Sequence, residues 1–123
     1  MIKLIDIINE LEINKPSLIY GIDSKGIKIN FELDEDDNLN CKNMNLVKLV
    51  IQNKRIKHLD CYDNNITQLD LNKLPNLTHL YCDYNNITQL DLSKLPNLLD
   101  LYCSHNNITN LDLSQVPNLK YLD

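Results

Sequence analysis

The side chains able to do chemistry in this sequence are few in kind and regular in position. The four cysteines, Cys41, Cys61, Cys82 and Cys103, stand 20, 21 and 21 residues apart. Zinc fingers and thioredoxin-type sites need close Cys pairs, so this spacing excludes both. A free Cys behaves as a small buried hydrophobe, and one per repeat reads as a ladder of stacked, inert thiols. Metal binding or a disulfide is the alternative use of the same four. His58 and His79, with Asp60 and Asp100, are of types that ligate metals. Two histidines with no fixed outer partner are a weak signal, so they read as exposed polar residues and no metal is expected. The sequence holds no Gly-rich phosphate loop, no G-x-S-x-G and no H-E-x-x-H, and its two glycines, Gly21 and Gly26, lie near the start. The expectation is a non-catalytic protein without a cofactor.

What positions these residues is a repeat. Leu77 to Asn97 and Leu98 to Asn118 align position by position over 21 residues, and Ile56 to Asn76 is in register with them. A weaker unit of 20 residues runs from about Asp36 to Arg55, and a fifth opens at Leu119. In Leu-x-x-Leu-x-Cys the last two apolar residues alternate, which turns them inward from a short strand and leaves their neighbours outward. A unit with one apolar side cannot bury it alone, so the units stack and their strands form a parallel ladder. Asn64, Asn85 and Asn106 follow the strands and read as inward amides bonded to backbone of adjacent units, since a buried amide without partners costs about 1–3 kcal/mol. The second half of each unit (Ile66, Leu69, Leu71; Ile87, Leu90, Leu92; Ile108, Leu111, Leu113) reads as an extended return. Leu74-Pro75-Asn76, Leu95-Pro96-Asn97 and Val116-Pro117-Asn118 close the units.

The segment Leu-x-x-Leu-x-Cys-x-x-Asn resembles the signature of the leucine-rich repeat family. With Cys in the third consensus place, it is similar to the 21-residue subclass with a cysteine ladder, as in internalin J-like surface proteins and giant-virus or bacterial repeat proteins. The resemblance covers residues 36–123 and implies a leucine-rich repeat solenoid, with parallel β-strands on a concave face and extended convex returns. It implies fold far more strongly than ligand.

The informative residues are those the repeat leaves free. On the concave face one row reads Asn38, His58, His79, Asp100, Tyr121, and the next Asn40, Asp60, Tyr81, Tyr102, Asp123. A third reads Lys42, Tyr62, Asp83, Ser104, flanked by Asp63, Tyr84 and His105. Five of the six tyrosines fall on or beside this face. Tyr joins a large contact area to a hydroxyl and is enriched in binding surfaces. The candidate partner-binding residues are therefore His58, Asp60, Tyr62, His79, Tyr81, Asp83, Tyr84, Asp100, Tyr102 and Tyr121, with the aspartates meeting basic groups. The other reading is that stacked Tyr and Asp simply make a soluble strand surface.

Residues 1–35 fall outside the repeat and read as a small α/β N-terminal cap. Ile2, Ile5, Ile8 and Leu11 have helical spacing, ended by Asn14-Lys15-Pro16. Leu18–Ile22 reads as a strand, Asp23–Gly26 as a turn, and Ile27, Ile29, Phe31 and Leu33 as the inward side of a second strand. Glu32 to Asp37 reads as a solvated acidic loop. At the other end, Leu119 to Asp123 starts a new strand and leaves an open edge, which reads first as a truncated or naturally short array and second as an edge pairing with another chain, giving a monomer or a weak homodimer.

Composition bounds the function class. Leu, Ile and Asn number 23, 14 and 19, nearly half the chain, as a repeat with fixed inward positions requires. A net charge of −5 argues against a nucleic-acid partner, which needs clustered Lys and Arg. No apolar run reaches membrane-spanning length and the start is unlike a signal peptide, so a cytoplasmic, intracellular protein is expected. On that ground the Asn-x-Thr triplets at Asn65, Asn76, Asn86 and Asn107 read as by-products of the repeat. The leading expectation is an interaction module for an unidentified protein or peptide. The alternatives are a self-associating structural protein and the substrate-recognition arm of a larger complex.

Overall fold

The computed structural model describes residues 2–5, 7 and 17–123. The helix expected over residues 2–11 lies largely outside them. Leu4, Ile5 and Ile7 are helical, with the Ile7 N–H bonded to the Lys3 carbonyl at 3.3 Å, and all three side chains are exposed.

The period of 21 becomes a sheet because residues one repeat apart can pair. Strands β3 (Asn38–Asn40), β5 (His58–Asp60), β6 (His79–Tyr81), β7 (Asp100–Tyr102) and β8 (Tyr121–Leu122) form a five-stranded parallel sheet in sequence order. The register is uninterrupted: Leu39, Leu59, Leu80, Leu101 and Leu122 face one another in turn. The ladder runs past the short strands, with Cys61 N–H on the Tyr81 carbonyl at 2.9 Å and Cys82 N–H on that of Tyr102 at 2.8 Å.

The consensus positions of successive units make the core. Ile56, Leu59, Ile66, Leu74, Leu77, Leu80, Ile87, Leu95, Leu98 and Leu101 have no exposed surface. Full burial of such a side chain is worth roughly 1.5–3 kcal/mol each before the cost of ordering the chain. Each unit buries its apolar side only against its neighbours, which is why stability is shared among units. The Leu-Pro-Asn segments are turns. Their asparagines reach back one unit, Asn76 Nδ2 donating to the Lys54 carbonyl at 2.7 Å.

The return paths differ from one another. In the first unit the return is a true strand, β4 (Leu46–Gln52), because β1 (Leu18–Asp23) pairs with it antiparallel from Leu18–Gln52 to Asp23–Leu46. The returns at residues 66–71 and 87–92 have no such partner strand and remain irregular while burying the same apolar positions. β1 also pairs with β2 (Lys28–Asn30), giving a three-stranded sheet in the order β2-β1-β4. The second strand is shorter than its alternating pattern suggests. Ile27 is 56% exposed. Beyond Phe31 the chain bends into a turn held by Asp34, whose Oδ1 accepts the N–H groups of Asp36 and Asn38, both at 2.9 Å.

Gly21 in β1 leaves no room for a side chain against its pairing partner β4. A Cβ there would stand 2.6 Å from Leu46 Cδ2, inside the core of the first unit.

Candidate functional site

The inward half of each unit sets the outward half. Asn64, Asn85 and Asn106 each bridge two units. The Asn85 Nδ2 donates to the carbonyls of Cys61 and Cys82 at 3.0 and 3.1 Å, and its Oδ1 accepts the Ile66 N–H at 3.1 Å. Asn64 holds Cys41, Cys61 and Leu46 in the same way, and Asn106 holds Cys82, Cys103 and Ile87. Asn64 and Asn85 are buried, Asn106 partly so.

Cys41, Cys61 and Cys82 are fully buried and unpaired, so their thiols line up within the core. Burial, with the Asp60 carboxylate adding to it, pushes the Cys41 thiol up to about 12. Burial likewise raises Cys61 and Cys82 well above the ordinary range. A thiol so disfavoured as thiolate is a poor nucleophile and a poor metal ligand. Cys103 departs from the expectation of a uniformly buried ladder, being only partly covered, and its thiol is raised less far.

Between Cys and Asn the backbone turns through left-handed residues in every unit: Asn43, Asp63, Tyr84 and His105, with φ of 56°, 55°, 57° and 53°. Asn and Asp tolerate this conformation, whereas Tyr84 and His105 hold it at a cost of roughly 1–2 kcal/mol each. The left-handed turn sends these side chains to the same side, and the rings of Tyr84 and His105 stack at 4.1 Å with 13° between planes. Tyr62 meets Tyr84 edge to face at 5.4 Å. A second aromatic row comes from the strands, where Tyr81 and Tyr102 lie 4.8 Å apart and Tyr102 stacks on Tyr121 at 4.7 Å.

Strand register places His58 beside His79, and His79 beside Asp100. The two imidazoles are 4.2 Å apart, and His79 Nε2 is 3.2 Å from Asp100 Oδ2. Burial, then repulsion from His79, lowers the His58 pKa below the ordinary imidazole value. Burial, then the Asp100 and Asp60 carboxylates, raises the Tyr81 hydroxyl. Two aspartates have local work. Asp60 Oδ1 accepts the Tyr62 N–H at 3.1 Å, and Asp83 Oδ1 accepts both the N–H and the hydroxyl of Ser104 at 2.7 and 3.0 Å. One residue of this face escaped sequence reasoning: Thr78 sits 2.8 Å from His79 Nδ1, a contact that depends on its rotamer and carries no sequence signal. Asn38, placed in the first row by the repeat, has its Oδ1 buried with no hydrogen-bond partner.

All ten candidate binding residues therefore stand on or beside the five-stranded sheet's outward side, as two aromatic rows among carboxylates. The three rows and their flank carry five aspartates (Asp60, Asp63, Asp83, Asp100, Asp123) against one lysine, Lys42, no arginine and three histidines. Two grooves of about 480 Å³ lie elsewhere, beside β4 and beside the β1–β2 hairpin. Among the described residues no group of three or more His, Cys, Asp or Glu is arranged to hold a metal ion, and no helix is long and apolar enough to cross a membrane.

The repeat geometry agrees with what the chain matches. Residues 54–95 fit the family model of leucine-rich repeats, in two copies. A solved structure similar to the chain is the functional domain of InlJ from Listeria monocytogenes, which includes a cysteine ladder. The two share 27% identity with a TM-score of 0.37, over 71% of this chain and 29% of that one. The chain thus spans well under two thirds of that protein's length. No curated protein matches it. The leucine-rich repeat match points to no catalytic family.

Proposed function

We propose that this chain is a non-catalytic recognition module whose concave leucine-rich repeat face binds a basic segment of a partner protein or peptide. Leucine-rich repeats generally present such extended faces for protein binding. The observation that carries the reading is the pairing of two aromatic rows, Tyr81–Tyr102–Tyr121 and Tyr62–Tyr84–His105, with five aspartates on one side of the sheet. Rows of packed rings offer rigid contact area at low entropic cost. The carboxylates steer and select a cationic partner, and an Arg or Lys above a Tyr face gains cation–π attraction besides. Tyr84 and His105 keep their strained backbone because the turn of the repeat demands it, so their stack is prepared before any partner arrives.

Residues 1–35 act as a cap, closing the first unit through the β1–β4 pairing, and residues 36–123 form the array, of the 21-residue subclass. The free thiols fit a reducing compartment, which supports an intracellular setting.

Selection from a random peptide library tests the reading. The wild-type chain serves as target and a Tyr81→Ala/Tyr102→Ala variant as counter-target. The expected binders are rich in Arg and Lys and bind the variant about tenfold or more weakly. Binders without basic character, or with unchanged affinity for the variant, contradict it.

A further inference from the structure

The row His58–His79–Asp100 is built so that a proton can be added without leaving any hydrogen-bonding group unsatisfied. Thr78 Oγ1 lies 2.8 Å from His79 Nδ1 and 3.0 Å from the Lys57 carbonyl oxygen. That carbonyl already accepts the N–H groups of Thr78 and His79, at 2.8 and 3.1 Å, so it does not need the hydroxyl. With His79 neutral, the hydroxyl donates to Nδ1, and the Nε2–H donates to Asp100 Oδ2 at 3.2 Å. With His79 protonated, Nδ1–H donates to the Thr78 oxygen and the hydroxyl turns to the Lys57 carbonyl. Both states are fully bonded, and one rotation of a hydroxyl separates them.

The two states present different charge to a ligand. In the neutral state Asp100 keeps its full negative charge behind a neutral donor, beside Tyr102 and Tyr121 of the aromatic row. In the protonated state His79 and Asp100 cancel, and His58, 4.2 Å from His79, is left as a second site for a proton. Asp37 and Lys120 flank the two ends of the row, one residue before Asn38 and Tyr121. Asp60 shares β5 with His58. Asn38, with Asp34 bonded behind it, lies on the β3 side. Lys57 precedes His58, Tyr81 shares β6 with His79, and Tyr121 pairs with Asp100 on the far side. None of the basic groups among them reverses the sign of the change.

We propose that the His58–His79–Asp100 row, relayed by the Thr78 hydroxyl, is a proton-operated switch that holds a cationic partner at neutral pH and releases it on acidification. The proposal rests on the recognition reading above and adds its regulation. It follows from the imidazoles' position within the acidic face and from the two complete hydrogen-bond states.

Octa-arginine serves as the probe, because guanidinium groups keep their charge across the whole range. Its affinity for the full chain is measured by calorimetry at pH 7.5 and pH 5.0 at one fixed, low ionic strength. Binding about tenfold weaker at pH 5.0 is expected, the size of effect given by adding one or two charges near a partly solvated site. With His105 replaced by Gln in both proteins to remove the third imidazole of the face, the His58→Gln/His79→Gln variant should give two affinities that agree within about twofold, and circular dichroism checks that it is folded. Nitrogen shifts of His79 in the wild type should report the Nε2–H tautomer at pH 7.5, a readout independent of any ligand. Wild-type affinity that is unchanged or stronger at pH 5.0, a ratio that survives in the double variant, or an Nδ1–H tautomer overturns the switch while leaving the recognition reading intact. Absence of octa-arginine binding at both pH values overturns the cationic reading of the face, and the switch with it.

Discussion

Asn85 Oδ1 accepts the backbone N–H of Ile66, nineteen residues earlier, at 3.1 Å. The same amide donates to the carbonyls of Cys61 and Cys82, so a single side chain ties the strand end of one unit to the strand end and return of the unit before it.

Asn85→Leu is therefore expected to cost far more than its hydrophobicity suggests. It strands the Ile66 N–H where water does not reach, at about 1–3 kcal/mol, and leaves the Cys61 and Cys82 carbonyls each with one amide donor instead of two, from Asn64 and Asn106. A loss of about 2 kcal/mol or more is expected from urea denaturation of Asn85→Leu. Asn106→Leu should cost visibly less, because Asn106 is only partly buried and water can replace its bonds. Equal costs at the two positions contradict this picture.

The thiols should divide by depth. Cys41, Cys61 and Cys82 are fully buried and raised, whereas Cys103 is partly covered. Alkylation of the native protein at pH 8 should modify Cys103 first and the other three only with unfolding, as read by intact mass. Cys82→Leu, which overfills the slot between Leu80 and its neighbours, should destabilise by about 1–3 kcal/mol. Fast labelling of all four native thiols would contradict an inward ladder.

Gly21→Ala probes the attachment of the β1–β2 hairpin. The added methyl would meet Leu46 Cδ2 at 2.6 Å and the Lys48 carbonyl at 3.3 Å, so β1 must shift off β4 or Leu46 must leave its rotamer. A loss of about 1–3 kcal/mol is expected. Hydrogen exchange should quicken along Leu46–Gln52 and leave β6 and β7 little changed. Uniform quickening across all units would show instead that the hairpin and the repeats unfold together.

His58 sets a pH dependence of stability. Its folded pKa is lowered by burial and by His79, below the value in the unfolded chain. The unfolded chain thus takes up the proton first. The stability linked to His58 is complete above the ordinary imidazole range, near pH 6.5, and is lost as pH falls through its lower folded value. Asp34 is lowered chiefly by the Asn38 N–H, and Asp91 and Asp112 chiefly by the Ser93 and Ser114 side chains, so their contribution disappears only below the carboxylate range. Denaturation midpoints should therefore fall in two stages, and His58→Gln should remove the upper one.

Much of the candidate site was legible because the period fixes the register. Residues one repeat apart must face each other, so the rows His58–His79–Asp100 and Asp60–Tyr81–Tyr102 follow from counting, including the 20-residue step from Asn38 to His58. The left-handed turn was not legible. Asn43, Asp63, Tyr84 and His105 share a backbone conformation and no chemical type, and nothing in Tyr or His advertises a positive φ. Strand β4 was hidden for another reason. Leu46–Gln52 carries the same apolar spacing as the later returns and becomes a strand because β1 supplies the pairing partner. The bonds of Asp60 and Asp83 to their own face were likewise invisible, since an Asp that steers a partner and one that holds a turn read alike in sequence.

The proposed function requires that the outward side of β5, β6 and β7 bind a cationic chain. It is tested most directly by titrating octa-arginine into isotopically labelled protein at pH 7.5 and following every backbone amide. Shift changes are expected to centre on His58–Tyr62, His79–Tyr84 and Asp100–His105, and to fade when Tyr81 and Tyr102 are both alanine. Changes centred on the groove beside β4, or none at saturating peptide, would contradict the account.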